Sequence, residues 1–356
     1  MIKATQQVRA MAPYALADLG GGQMISLAQN ESAFPVSPQA IEAGQKVLAQ
    51  APLYPDPDWN DIRQAIAEVH GLDERRILCG AGSMELIGCL VRCFAAPGDQ
   101  VLGTEFGYLF VASAAAQAGA GYVTVPEPNF TVSVENLLAS VTPQTRIVFL
   151  CNPGNPTGTR LPNSEVIRLR EALDDDVLLV IDQAYGEFDD QDMGDVFALV
   201  DRGDTVITRT FSKAYGMAGS RVGWGLFPKH IQGEVRKLLN PNNVPGVSQA
   251  MAAAAVRDQA HMRNVVKETT RIRQDTTDAL RDLGFDIPQS HTNFILIPFA
   301  DDKAAALADA ALRREGILLR GMGGYGLAHC LRATIGSADI MQRVALCLTD
   351  YMEGTT

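Results

Sequence analysis

Residues 151–158 read Cys-Asn-Pro-Gly-Asn-Pro-Thr-Gly, and Cys151 is the last residue of an apolar run that begins at Ile147. Two further apolar runs, Val177 to Ile181 and Val206 to Thr210, lead into Asp-Gln-Ala-Tyr at 182–185 and Phe-Ser-Lys-Ala-Tyr-Gly at 211–216. Each run has the length of a strand, and helix-like or turn-rich stretches separate the runs, which predicts a parallel sheet covered on both faces. Ligands bind such sheets beyond the carboxyl ends of the strands, so the polar residues there are candidate site residues.

The polar residues at these strand ends are Asn155, Asp182 and Lys213. A lysine amine can form a Schiff base with an aldehyde, an aspartate can keep a pyridine nitrogen protonated, and an asparagine amide can hydrogen-bond a ring phenolate. Arg221 follows closely and supplies a cation for a phosphate. The set predicts an enzyme that uses pyridoxal 5′-phosphate (PLP).

A further anion-binding feature lies near residue 80. Ile-Leu-Cys-Gly-Ala-Gly-Ser at 77–83 precedes an apolar helical pattern, which indicates a strand, a glycine turn and a helix. Backbone N–H groups at a helix start bind anions, although Ser83 could alternatively serve only as a helix cap. Because other cations for a phosphate are present, we favour phosphate binding. The predicted phosphate-binding residues are Gly82, Ser83, Thr210, Ser212 and Arg221.

The composition is that of a globular protein rather than a disordered one. The chain has 356 residues, 47% hydrophobic and 20% charged, with a formal net charge of −11. This length allows one large domain and a smaller one. The acidic balance argues against nucleic acid as a partner, because phosphate backbones are bound by clustered Lys and Arg.

The cysteines and histidines give no metal or disulfide pattern. The six cysteines lack the spacing of a disulfide framework, which predicts reduced thiols and a cytoplasmic protein. Cys89 and Cys93 are one helical turn apart, but no second pair completes the four ligands of a structural zinc site. We therefore expect no metal. The chain also lacks the motifs of zinc proteases and of serine hydrolases.

The N-terminus and the hydropathy pattern favour a protein that is neither secreted nor embedded in a membrane. Residues 1–9 have no apolar core followed by a small-residue cleavage site, so we expect no secretion signal. No uninterrupted apolar stretch approaches about 18 residues, so no membrane span is predicted.

The chain resembles the fold-type I PLP-dependent aminotransferases, and among them the histidinol-phosphate aminotransferase group. The resemblance rests on the strand-end motifs and on Ala-Pro-Tyr at 12–14, Asn-Glu-Ser-Ala-Phe-Pro at 30–35, Tyr-Pro-Asp at 54–56 and Leu-Arg-Ala-Thr-Ile-Gly at 331–336. It implies an α/β fold with a large PLP-binding domain, whose mainly parallel sheet is flanked by helices, and a small α+β C-terminal domain. We expect an N-terminal arm over 1–29, which packs with the small domain or a partner subunit, the large domain over 30–248 and the small domain over 249–356.

The resemblance also implies roles at the cofactor. Lys213 is expected to hold PLP and to move a proton, with Asp182 at the ring nitrogen and Tyr185 beside Asn155 at the phenolate oxygen. The loop at 51–58 contains three prolines and cannot be regular helix or central strand, so it presents a residue, for which we nominate Tyr54. In the resembled family this tyrosine comes from the partner subunit. The expected protein is therefore a homodimer with a shared active site.

An aromatic residue is expected to stack on the pyridine ring. In Thr-Glu-Phe-Gly-Tyr at 104–108, Phe106 matches the position that stacks in the resembled family, although a purely packing role is the alternative. The family usually has Pro-Thr-Tyr there, and Thr-Glu-Phe departs from that pattern. Glu105 is unexpected beside an anionic cofactor.

Substrate anions are expected to bind arginines of the small domain. Arg332 lies in an apolar strand pattern and offers a planar fork that matches a carboxylate, whereas an outward-facing sheet position is the alternative. Arg320 follows another strand pattern and is the second cation. By resemblance, these arginines and Tyr14 receive the substrate phosphate. Asn30 is interpreted mainly as a structural support and also as a candidate contact.

The predicted activity is amino transfer between an amine donor and a 2-oxo acid, with histidinol phosphate and 2-oxoglutarate as leading substrates. Phosphothreonine decarboxylases share this motif set and remain an alternative, as does an aminotransferase for aromatic amino acids or a secondary pathway. A PLP-binding regulator is a further alternative from another class. It would need a nucleic-acid-binding module, for which this acidic chain has no basic region.

Overall fold

The computed structural model describes residues 2–5, 8–9, 11, 24–191 and 193–354. Tyr14, proposed as a substrate contact, lies outside the described residues.

A seven-stranded sheet forms the centre of the larger part of the molecule, with strand order β2-β8-β7-β6-β5-β3-β4. All neighbours are parallel except β8, which runs antiparallel to both β2 and β7. Its strands are β2 (Ile77–Gly80), β3 (Gln100–Thr104), β4 (Gly121–Val125), β5 (Thr145–Cys151), β6 (Leu178–Asp182), β7 (Thr205–Thr210) and β8 (Gly223–Leu226). Every residue of β6 and β7 is buried, as expected for strands covered on both faces. The predicted parallel sheet is thereby confirmed.

Nine described helices belong to this part or connect it to the rest. They are α1 (Pro38–Val47), α2 (Asn60–His70), α3 (Ser83–Phe94), α4 (Phe110–Ala118), α5 (Val134–Ala139), α6 (Asn163–Ala172), α7 (Gly194–Ala198), α8 (Lys229–Arg236) and α9 (Gly246–Arg257). Helix α1 begins with Pro38, which has no N–H to leave unpaired, and the Ser37 hydroxyl accepts the N–H of Gln39. The helices flank the sheet and share one apolar core with it.

The C-terminal part is built on a second, antiparallel sheet. Its strands are β9 (Phe294–Pro298), β11 (Arg320–Met322) and β12 (Leu327–Thr334), in the order β11-β12-β9. Helices α10 (Gln259–Asp282), α11 (Asp302–Arg314) and α12 (Ala338–Met352) complete it. Arg320 and Arg332 are directly opposite each other on β11 and β12. This part matches the predicted small α+β domain.

The N-terminal segment joins the C-terminal part. Strand β1 (Ile25–Ser26) pairs in parallel with β10 (Ile317–Leu318), and Leu27 contributes to the C-terminal core. The larger core extends to Val256, whereas the second core takes up the chain from Ile272. We therefore propose a domain boundary between α9 and α10, slightly later than the position expected from sequence.

The six cysteines are free thiols, five of them buried. Among the described residues, no helix is both long enough and apolar enough to cross a membrane.

Candidate active site

A cavity of about 420 Å³ opens at the carboxyl ends of β5, β6 and β7. This is where the three strand-end motifs were predicted to converge. The predicted residues on its wall are Gly82, Ser83, Asn155, Asp182, Tyr185, Thr210, Ser212, Lys213 and Arg221. Gln29, Glu31, Tyr108 and Cys151 also line it, and sequence reasoning did not select them.

Lys213 follows β7 and points its amine at the N-terminal segment of the chain. Its Nζ donates to the backbone oxygens of Asn30, at 2.9 Å, and Gln29, at 3.3 Å. Removal from bulk water, together with the positive charges of Arg332 and Arg221, lowers the pKa of Lys213 to about 7, while the negative charge of Glu31 acts against this fall. A lysine with this pKa is partly a neutral amine at physiological pH, and a neutral amine is nucleophilic.

Asp182 ends β6 as a buried carboxyl. Burial raises the pKa of Asp182 to about 6, and a hydrogen bond from Thr208 and the charge of Lys213 act against that rise. The Thr208 Oγ1 donates to Asp182 Oδ1 at 2.8 Å from the neighbouring strand, where the two residues are opposite each other. Thr208 was missed by sequence reasoning. Its only signal was a polar residue inside a buried strand.

Asn30 connects the N-terminal segment to Tyr185. It adopts a left-handed backbone conformation with φ of 54°, is 2% exposed, and donates from Nδ2 to the Tyr185 hydroxyl at 2.8 Å. Thr334 of β12 accepts the Asn30 backbone N–H at 2.9 Å. Burial raises the pKa of Tyr185 well above its ordinary value, so the phenol stays protonated. Asn30 therefore contacts two site residues, Tyr185 and Lys213, and its role goes beyond structural support.

Arg332 faces the interior of the site and is only 6% exposed, which rejects the outward-facing alternative. Its Nη1 donates to Asn155 Oδ1 at 2.5 Å and its Nη2 to the Ala28 oxygen at 2.9 Å. The guanidinium lies 5.2 Å from the ring centre of Phe294. Arg320 is half-buried on the adjacent strand.

The predicted phosphate-binding residues meet where α3 begins. Gly82 precedes the helix with φ of 82° and has no side chain that could cap it. A Cβ on Gly82 would lie 2.6 Å from Arg221 Nη2, and a Cβ on Gly223 would lie 2.2 Å from the Ser83 backbone nitrogen. Both positions thus require glycine. The hydroxyls of Thr210 and Ser212 are 3.0 Å apart at the same wall.

The cavity wall contains a different aromatic residue from the one that was expected to stack. Phe106 does not line the cavity but packs with Leu296, Met322, Leu327 and Cys330 of the C-terminal part. Tyr108, two residues further on, lines the cavity instead. The expectation for Phe106 came from the resemblance to the family, and the structure places Tyr108 rather than Phe106 on the cavity wall.

Glu105 and Tyr54 also lie outside the cavity wall. Glu105 is exposed, and its carboxylate accepts the backbone N–H of Glu127 at 3.3 Å. The unexpected acidic residue is therefore bonded to the backbone of a neighbouring segment. Tyr54 is 89% exposed in the proline-rich loop.

The groups present fit PLP. The cavity is lined by an amine of lowered pKa, a buried carboxyl, a phenol and an amide, and also by hydroxyls, a guanidinium and the start of a helix. Helix starts and guanidinium groups bind phosphate. This combination of fold and site is that of a PLP-dependent aminotransferase.

Comparison with known proteins identifies the family. The model of the family "Aminotransferase class I and II" matches residues 22–346, and the chain belongs to this family. The predicted fold type, cofactor and enzyme class are confirmed.

Relatives are similar over nearly the whole chain. A histidinol-phosphate aminotransferase of Paramagnetospirillum magneticum is 44% identical over 337 residues, which cover 94% of this chain and 93% of that protein. That of Jannaschia sp. is 42% identical over 330 residues, covering 93% and 92%. The crystal structure of histidinol-phosphate aminotransferase from Sinorhizobium meliloti in complex with PLP superposes with a TM-score of 0.92 at 28% identity, covering 100% of this chain and 99% of that one.

Proposed function

We propose that this chain is a homodimeric, cytoplasmic aminotransferase that transfers an amino group from histidinol phosphate to 2-oxoglutarate. The observation that carries the choice of donor is the 42–44% identity to two full-length proteins named for that activity. The opposed Arg320 and Arg332 support it, because they supply two cations for a phosphate or a carboxylate. The free thiols support a reducing compartment.

Bound in the cavity, PLP supplies an aldehyde that captures the donor amine and a ring that accepts electrons from the substrate α-carbon. Lys213 is the residue that would hold the aldehyde and then act as base. Because its pKa is about 7, Nζ would be able to take a proton from the substrate α-carbon at neutral pH and pass it to the former aldehyde carbon, on the other side of the substrate nitrogen. The oxygens of Gln29 and Asn30 orient this amine through its other hydrogens.

Asp182 would face the pyridine nitrogen and keep it protonated through its negative charge. Thr208 contributes by donating to the carboxylate, which favours the ionised form of a group that burial would otherwise neutralise. Together, these residues supply a fixed negative charge at the ring end of the cavity.

Tyr185 and Asn155 would bind the ring phenolate oxygen as donors. Asn30 donates to the Tyr185 oxygen, which leaves the phenol hydrogen for a bond into the cavity. Arg332 occupies Asn155 Oδ1, which leaves the amide hydrogens as donors. Each residue is thus oriented by a neighbour that sequence spacing alone did not reveal.

The cofactor phosphate would lie at the start of α3, held by the five predicted residues there. We propose that Tyr108, rather than Phe106, packs on the pyridine face. Arg332 would receive the carboxylate or phosphate of either substrate in turn, and Arg320, with Tyr14, mainly the donor phosphate.

The homodimer proposal rests on the exposed apolar side chains around the proline-rich loop. Leu48, Leu53 and Tyr54 are 58%, 73% and 89% exposed, although they are large and apolar. We propose that a second copy of the chain covers them and receives Tyr54 in its own site. Mixing Lys213→Ala and Tyr54→Ala subunits tests this, because a hybrid dimer then contains one intact site. Activity in the mixture that neither variant shows alone is expected, and an inactive mixture of verified hybrid dimers contradicts a shared site.

A donor screen tests the substrate. Purified enzyme with PLP and 2-oxoglutarate is given histidinol phosphate, histidinol or phenylalanine, and glutamate formation is measured. Fastest turnover with the phosphorylated donor is expected. Preference for phenylalanine would indicate the aromatic alternative, and carbon dioxide release from phosphothreonine without a 2-oxo acid would indicate the decarboxylase.

A further inference from the structure

The segment Thr104–Tyr108 connects the cofactor cavity with the C-terminal sheet. It joins β3 to α4, and its backbone is held by bonds from Glu105 N to the Val125 oxygen, at 2.8 Å, and from Gly107 N to the Thr104 oxygen, at 3.0 Å. Tyr108 at its end lines the cavity, whereas Phe106 in its middle packs against β9, β11 and β12. The same few residues therefore contact the cofactor site and the sheet that contains both substrate arginines.

Two glutamates hold this segment through reciprocal hydrogen bonds. Glu127 Oε1 accepts the Phe106 backbone N–H at 3.0 Å, and Glu105 Oε2 accepts the Glu127 backbone N–H at 3.3 Å. Glu127 is 6% exposed and, within the described part of the chain, forms no ion pair. A buried carboxyl without a cation lowers stability unless hydrogen bonds compensate for its lost hydration.

The groups around the Glu127 carboxyl make it the titratable centre of this contact. Burial raises the pKa of Glu127 to about 7 and the charge of Glu105 adds to the rise, while bonds from the Thr104 hydroxyl and the Phe106 N–H lower it. The charge of Glu127 also acts on the Tyr122 phenol and the Cys151 thiol, and both stay neutral because burial raises the pKa of each. The Thr104 hydroxyl and the Phe106 backbone N–H are thus the principal groups that stabilise the ionised Glu127 carboxylate.

Asn129 and Phe130, which lie shortly after Glu127, have a strained backbone conformation. Asn129 and Phe130 have φ of 51° and 60°, in the left-handed region that is unfavourable for most residues with a side chain and above all for a bulky one such as Phe. The Phe130 ring lies 6.0 Å from that of Phe106, and its carbonyl accepts the Thr159 hydroxyl at 2.6 Å. Strain of this kind persists where surrounding contacts fix the conformation, often beside functional sites.

We propose that Glu127 is a positioning residue, which fixes the segment Thr104–Tyr108 so that the aromatic wall of the cofactor cavity keeps a set position relative to the substrate arginines. Glu105 assists by fixing the backbone of Glu127. The proposal rests on the proposed function, since it assumes that PLP occupies the cavity. It assigns a role to Glu105, the residue for which the sequence pattern offered none.

Binding of PLP to full-length variants tests the proposal. Glu127→Ala removes the acceptor, whereas Glu127→Gln keeps an amide oxygen that can accept the Phe106 N–H. Glu135→Ala is the control, because Glu135 is an exposed glutamate of the following helix. The measurements are the PLP dissociation constant, the visible circular dichroism of bound PLP, which reports on the ring's surroundings, and Tm without PLP.

We expect Glu127→Ala to raise the PLP dissociation constant about tenfold, as for one lost hydrogen bond to a charged group, and to reduce the dichroic band. The PLP dissociation constants of Glu127→Gln and Glu135→Ala should stay within about twofold of the wild-type value. Glu127→Gln keeps the hydrogen bond from the Phe106 N–H, and Glu135 takes no part in it. A lower Tm for Glu127→Ala with an unchanged dissociation constant and band would overturn the proposal, as would Glu127→Gln being equally impaired.

Glu105→Ala decides the question if Glu127→Ala does not fold. This exposed residue can be removed without leaving a cavity, and we expect about a threefold weaker PLP affinity from the less restrained Glu127 backbone. Unchanged affinity and dichroism in Glu105→Ala would then overturn the proposal. Failure of the wild type to bind PLP would refute the proposed function instead, so the two failures are distinguishable.

Discussion

Replacing Thr208 by valine tests whether the charge of Asp182 drives the reaction. Valine has nearly the same shape but lacks the hydroxyl that donates to Asp182 Oδ1 at 2.8 Å. Both residues are buried, so water does not replace the lost donor. A hydrogen bond to a charged group contributes roughly 1.5–3 kcal/mol, and the lower value corresponds to about a tenfold change in rate. The pKa of Asp182, already raised to about 6 by burial, should rise further.

The assay is the single-turnover donor half-reaction, followed by the absorbance of the bound cofactor across pH. We expect Thr208→Val to be about tenfold slower than the wild type at pH 7, with a smaller deficit at higher pH, where Asp182 ionises again. Thr205→Val is the matched control, since Thr205 is a buried threonine of the same strand whose hydroxyl bonds Asp204. A rate within about twofold of the wild type, or an equal loss in the control, would refute the reasoning. Asp182→Asn removes the charge itself and should raise the activation free energy by roughly 3 kcal/mol, which is the upper limit for the effect of Thr208→Val.

Three further outcomes are expected. Lys213→Ala should abolish turnover and borohydride fixation of the cofactor without unfolding the protein, and normal turnover would contradict the whole assignment. Arg332→Lys should slow both half-reactions, because the point charge of lysine cannot replace the planar guanidinium of arginine. Arg320→Ala should slow mainly the half-reaction of the phosphorylated donor. Equal losses in both half-reactions for Arg320→Ala would argue against this division of roles. Glu127→Gln should become more stable relative to the wild type as pH rises from 5 to 8, by at most about 3 kcal/mol in the free energy of unfolding. The reason is that the wild-type protein loses stability as pH rises from the ordinary pKa of this carboxyl, 4.5, through its folded pKa of about 7. Urea denaturation measures the difference, and a difference that does not change with pH would contradict this prediction.

Sequence patterns predicted the central architecture because its signals are local. Apolar runs such as Ile147 to Cys151 reveal buried parallel strands, and the polar residues that follow them must meet at one sheet edge. Asn155, Asp182 and Lys213 accordingly line one cavity. The antiparallel insertion of β8 between β2 and β7 had no comparable signal, since pairing partners are distant in sequence.

The finer arrangement of the site depends on contacts that no local pattern encodes. Asn30 reaches Tyr185 from a segment 155 positions earlier, and Thr208 bonds Asp182 across strands. The positions of Phe106 and Tyr108 show the same limit, because these two aromatic residues lie two positions apart and only the tertiary fold determines which one lines the cavity.

The cross-strand register of Arg320 and Arg332 has a practical consequence for experiments on this enzyme. Two arginines directly opposite each other on antiparallel strands place two positive charges on one face of the sheet, where a dianion can bind. Inorganic phosphate and sulfate should therefore raise the melting temperature and compete with the phosphorylated donor. Kinetic constants measured in phosphate buffer will then understate substrate affinity, and a zwitterionic buffer at fixed ionic strength is the appropriate medium.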